Sequence, residues 1–136
     1  MSTNFIAAVR WHVVSTHDPA FHQALQRYDA GTAERADLKL LTKQLLKLLV
    51  AKAPGHAVEV RVPPYGAVQC IEGPRHTRGT PPNLVETDPV TWVRLAAGLT
   101  RWDEAVASGA VRASGVRADL TAYLPLLMSG ERGSGH

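Results

Sequence analysis

The sequence predicts an α+β fold with helices packed on a small, mostly antiparallel sheet, and three observations carry that reading. Leu38, Leu41, Leu45, Leu48 and Leu49 recur at helical spacing. Val58, Val60 and Val62 alternate with Glu59 and Arg61, the period of a strand with one buried face. From Val85 to Met128, each segment carries its own start and stop residues, in the order strand, helix, glycine, helix, glycine, strand, helix.

Composition sets the frame for these elements. A chain of 136 residues that is 45% hydrophobic and 20% charged matches one ordinary globular unit able to bury a core. Residues 1–128 are expected to form it, helical over 1–55, with the sheet and the C-terminal helices over 56–128. The small, polar tail 129–136 is expected to be disordered.

In chain order, Phe5, Ala8, Val9 and His12 give helical spacing from Phe5 to Val14. Asp18-Pro19 is a cap-plus-proline start for a helix carrying Phe21, Leu25 and Tyr28. Gly31-Thr32 breaks the chain, and Thr32 is the expected cap of the longest helix, from about Ala33 to Ala53 and ended by Pro54-Gly55. After the Val58–Val62 strand, Pro63-Pro64-Tyr65-Gly66 reads as a turn into a second strand, Ala67 to Glu72, which completes an antiparallel hairpin.

Gly73 to Asn83 is a loop rich in glycine and proline, and Leu84 to Thr87 is a third strand. Asp88-Pro89 opens a helix through Trp92, Val93, Leu95 and Ala96, closed by Gly98. Thr100 to Asp103 opens the next, which stops at Gly109. Ala110 to Ala113 reads as a short strand, and Asp119 starts a last helix with Leu120, Tyr123, Leu124, Leu127 and Met128.

Charge and cysteine content narrow the function classes. Fifteen Lys and Arg stand against twelve Asp and Glu, a net charge of +3 that permits contact with phosphate or with a membrane surface. No dense basic patch with interleaved aromatics marks a nucleic-acid binder. Cys70 is the one cysteine, so no intramolecular disulfide forms, and its apolar strand suits a buried structural thiol. Neither a signal-peptide pattern nor a membrane-spanning apolar run is seen, and a cytoplasmic location is the default expectation.

His12, His17 and His22 are spaced by five, whereas ligands on one helix face need three or four, so no metal and no cofactor is expected. Arg35, Lys39, Lys43 and Lys47 recur every four residues, either as a solvated face or as a stripe for transient contact with anionic headgroups. Arg75, His76 and Arg78 lie in the glycine-rich loop and suit a phosphate or carboxylate, or else they pair with Glu72, Glu86 or Asp88. Trp92, Trp102 and Tyr123 either anchor a filled core or line an apolar cavity, and periodicity does not separate the two.

The capped segments also carry a family resemblance. Val85-Glu-Thr-Asp88-Pro-Val-Thr-Trp92-Val-Arg-Leu95-Ala-Ala-Gly98, then Trp102-Asp-Glu-Ala105-Val106-Ala-Ser-Gly109, then Val111-Arg-Ala-Ser-Gly115 resemble the sterol carrier protein family. The longer stretch from Val60 to Leu127, including Arg61-Val-Pro-Pro-Tyr65 and the Gln69–Asn83 run, is similar to a compact actinobacterial branch of that family. The same small domain resembles the C-terminal module of mycothiol-dependent maleylpyruvate isomerases. The resemblance implies helices on a mostly antiparallel sheet and an apolar tunnel for fatty acyl or sterol-like ligands.

The expected function is therefore noncatalytic binding or carriage of a lipid or other apolar small molecule in a cavity between sheet and helices. Trp92, Leu95, Val106, Leu120, Leu124 and Leu127 would be the walls, and Arg75, His76 and Arg78 would hold an acidic head. The alternative is an interaction protein with a filled core, using the Arg75–Asn83 loop for an anionic ligand or a protein partner. An enzyme ranks third, because no acid/base or nucleophile pair stands out by spacing.

Overall fold

The computed structural model describes residues 18–74 and 83–127. The Phe5–Val14 helix, His12, His17, Met128, the tail and the loop with Arg75, His76 and Arg78 lie outside the described residues. Helix α1 spans Pro19–Asp29, and the Asp18 carboxylate accepts from the Ala20 N–H at 3.0 Å, as the cap-plus-proline signal predicts. Helix α2, Arg35–Lys52, starts after Glu34 rather than Thr32. The reason lies one turn inside the helix, where Asp37 accepts from the Glu34 N–H at 2.9 Å, while the Thr32 hydroxyl donates to the Arg27 carbonyl at the end of α1.

Strands β1 (Val58–Val62) and β2 (Gly66–Cys70) form the expected antiparallel hairpin, with Val60 opposite Val68. Strand β2 ends before Ile71, which leaves the sheet at φ 69. The Ile71 N–H donates to Ala53 and its carbonyl accepts from Ala57, so this backbone lies against Gly55; a Cβ there would stand 2.1 Å from the Ile71 oxygen. Strand β3, Leu84–Thr87, joins the other side of β1 in parallel, and β4, Val111–Ser114, pairs with β3 antiparallel. The sheet is therefore mixed, in the order β2-β1-β3-β4, with one parallel pairing between two antiparallel ones. Asn83 fastens its base: the amide donates to the Ala57 carbonyl at 2.8 Å, and its side-chain oxygen accepts from Arg117 N–H at 2.9 Å.

Helix α3, Pro89–Ala97, is capped by the Asp88 carboxylate on the Thr91 N–H at 2.7 Å and ends at Gly98 in the left-handed region. Helix α4, Trp102–Ser108, ends likewise at Gly109. The last helix predicted from Asp119 is absent: the chain makes only a 3-10 turn over Thr121–Tyr123. Asp119 does cap this turn, accepting from the Thr121 N–H at 2.9 Å. Pro125 then stops it, since proline offers no N–H and excludes the helical region for Leu124, which is extended at φ −107 and ψ 148.

One face of the sheet is closed by the helices. Val58, Val60, Val62, Cys70, Val85 and Val111 are buried with Leu41, Leu45 and Leu49 of α2 and Trp92, Val93 and Ala96 of α3 in a single cluster. The other face carries Glu59, Arg61, Glu86 and Arg112, with ion pairs Arg61–Glu59 at 3.0 Å and Arg112–Glu86 at 3.6 Å. That is the apolar-in, polar-out division the alternating valines predict.

Candidate functional site

The end of α3, the start of α4 and the C-terminal 3-10 turn meet at one corner. Three local features hold them there. The Arg94 guanidinium donates to the Thr100 hydroxyl at 2.8 Å and to the Leu99 carbonyl at 3.3 Å, which satisfies the end of α3. The N–H groups of Leu126 and Leu127 both donate to the Ala96 carbonyl, at 2.8 and 3.0 Å, hooking the C-terminal segment onto the same helix end. Lys52 Nζ donates to the Tyr123 carbonyl at 3.0 Å, so the end of α2 supports the turn from beneath.

Between these parts lies an open cleft of about 360 Å³. Leu95, Gly98, Trp102, Leu124 and Pro125 provide its apolar wall, and Thr100, Arg101, Asp103 and Thr121 its polar rim. Gly98 is favoured here by its φ of 82, whereas a Cβ would meet the Pro125 ring only at ordinary contact distance, 3.4 Å. At the rim, Arg101 donates from Nε and Nη2 to the two Asp103 oxygens at 3.2 Å each, which holds the Asp103 carboxyl below its ordinary range. Both side chains are largely exposed, and solvent screening leaves such a pair free to exchange partners. The corner can therefore seat an apolar body while offering a guanidinium, a carboxylate and two hydroxyls to a polar end.

The residues predicted as cavity walls do not surround one space. Leu95 and Leu124 line the cleft. Trp92, Leu120 and Leu127 point into the packed interior, at 0%, 0% and 2% exposure, and the Trp92 indole N–H donates to the Thr42 carbonyl of α2 at 3.3 Å. Val106 is 39% exposed on α4, away from the lining. Sequence reasoning missed Thr100, Arg101, Asp103, Thr121 and Pro125. Pro125 was the available signal, because a proline there forbids the continuous helix that would have filled the corner.

A second, more polar cleft of about 340 Å³ lies by Pro63, Glu86, Asp88, Gly109 and Arg112. Cys70 is fully buried and burial pushes its thiol up to about 11, consistent with a structural role. Among the described residues, no group of three His, Cys, Asp or Glu could hold a metal ion, and no helix is long and apolar enough to cross a membrane. A family model described as bacterial SCP ortholog matches residues 34–126, a span that contains α2, the whole sheet and every residue of the Leu95–Trp102–Leu124 cleft. No curated protein matches the chain.

Proposed function

Since this chain belongs to the family of bacterial sterol carrier protein orthologues, we propose that it binds or carries an apolar small molecule without transforming it. The observation that supports this reading is the cleft of about 360 Å³ walled by Leu95, Trp102, Leu124 and Pro125. That volume falls within the ~300–1,000 Å³ range of small-molecule sites, toward its lower end. A fatty acyl chain end or a compact apolar ring system suits it, with the ligand's polar end at the Arg101 rim. The residues assigned to an acidic head from sequence, Arg75, His76 and Arg78, remain in this proposal as a second polar contact. Native mass spectrometry of freshly purified protein tests it: a copurified lipid is expected, and a ligand-free mass with no fluorescent fatty acid bound at micromolar concentration would overturn it.

A second reading draws on the closed interior. Trp92, Leu120 and Leu127, assigned as walls of a hollow, are buried without access to the cleft. Under that reading the domain is an interaction protein whose Arg75–Asn83 loop meets an anionic partner. Arg75→Ala with Arg78→Ala separates the two, since only the second reading requires the partner to be lost while fatty acid binding persists.

A further inference from the structure

The walls of the corner cleft are tied down on three sides. The Leu126 and Leu127 N–H groups hang on the Ala96 carbonyl, the Arg94 guanidinium holds Thr100 and Leu99, and Lys52 holds the Tyr123 carbonyl. Widening the cleft would therefore break hydrogen bonds that satisfy the end of α3. Its inner end is closed as well. Leu95 is 2% exposed and belongs to the same packed cluster as Trp92, Leu120 and Leu127, so an apolar chain that reaches Leu95 meets a filled interior rather than a tunnel. A longer ligand extends only outward, past the rim of Thr100, Arg101, Asp103 and Thr121, into water.

A closed end and fixed walls turn volume into selectivity. A methylene group takes up about as much room as a water molecule, ~30 Å³ in a condensed phase, so a cleft of about 360 Å³ holds about twelve carbons. A sterol carries roughly twice as many carbons or more in a rigid fused frame, which cannot bend to seat one part against Leu95 and Trp102 while the rest clears the rim. A straight acyl chain is under no such constraint: its end fills the cleft and any excess stays in solvent. On the reading of this cleft as the ligand site, we propose that the protein selects straight acyl chains of about eight to twelve carbons and rejects sterols. Each methylene added inside the cleft raises affinity by up to about fourfold, and each one added beyond the rim contributes nothing.

Isothermal titration calorimetry of the full chain with the even-numbered acids from hexanoic to hexadecanoic, each below its aggregation limit, tests the proposal. Affinity should climb at least about tenfold from hexanoic to decanoic acid, then change less than about threefold from dodecanoic to hexadecanoic acid. Cholesterol delivered from cyclodextrin should show no saturable binding. Leu124→Ala takes about three carbons out of the wall and should move the break in the series to chains about two carbons longer. Circular dichroism checks that this variant folds, and the wild-type series decides the matter if it does not. Affinity that keeps rising through hexadecanoic acid, affinity that ignores chain length, or saturable sterol binding overturns the size limit and leaves ligand carriage standing. A break that stays in place in folded Leu124→Ala overturns it too, because the limit then arises outside this cleft. Failure of every acid and of the sterol to bind overturns the size limit and ligand carriage together.

Discussion

Replacing Trp92 and Trp102 separately should divide the core from the cleft. Trp92 has no exposed surface and donates its indole N–H to the Thr42 carbonyl at 3.3 Å. Truncation to alanine would remove roughly 3–5 kcal/mol, a large share of the ~5–15 kcal/mol that holds a typical domain together, so the milder Trp92→Phe is the useful variant. It keeps a ring in place but loses the hydrogen bond and part of the volume, at a cost of about 1–2 kcal/mol. Trp102 is half-buried and lines the cleft. A ligand that covers about 50 Å² of its ring gains about 1.3 kcal/mol from the contact, so Trp102→Ala should weaken binding about tenfold. Urea unfolding followed by circular dichroism reads the first effect, and titration with a fluorescent fatty acid reads the second. Equal weakening of binding by both variants, or unchanged binding in Trp102→Ala, would refute the division.

Gly55→Ala should destabilise the fold by more than about 3 kcal/mol, because its Cβ would stand 2.1 Å from the Ile71 oxygen, with φ at 147 adding strain; denaturant melts check this, and a near-native midpoint contradicts the close approach. Thr42→Val should raise stability by about 1 kcal/mol, since the Thr42 hydroxyl is buried with no hydrogen-bond partner among the described residues and the substitution keeps its shape; a destabilised variant would show that the hydroxyl is satisfied. The Arg27 guanidinium, with the Glu34 N–H, holds the Asp37 carboxyl at about 2, below the ordinary value of about 3.9. A depressed folded value means that this pair stabilises fully above about pH 4 and is lost as pH falls toward about 2. Asp37→Asn should therefore flatten the wild-type loss of stability in that window, and an unchanged acid profile would remove the pair from the account.

Boundaries were legible in the sequence wherever the signal is local. Asp18, Asp88, Gly98 and Gly109 each act within one turn of chain, and each stands where its chemistry predicts. The valine alternation likewise identified the buried side of β1. Thr32 misled because its role depends on Asp37, an inward-turned acid that competes as the reciprocal cap. The parallel pairing of β1 with β3 was beyond reach, since it joins residues more than twenty positions apart with no turn to fix the register. Leu120, Leu124 and Leu127 imitate a helix by spacing, yet Pro125 makes the backbone of that helix impossible.

The same distinction explains the site. Periodicity says which face of an element is apolar, but packing decides whether that face is filled. It filled the space around Trp92, Leu120 and Leu127 and left a cleft at Leu95, Trp102 and Leu124.

The most direct measurement of whether this corner is the ligand site is an amide-resolved NMR titration of the ¹⁵N-labelled protein with a medium-chain fatty acid. The proposed site requires shifts at Leu95, Gly98, Thr100 to Asp103 and Thr121 to Leu124 that move in step with occupancy. A titration that leaves those amides still while others move, or that moves none at all, would contradict it.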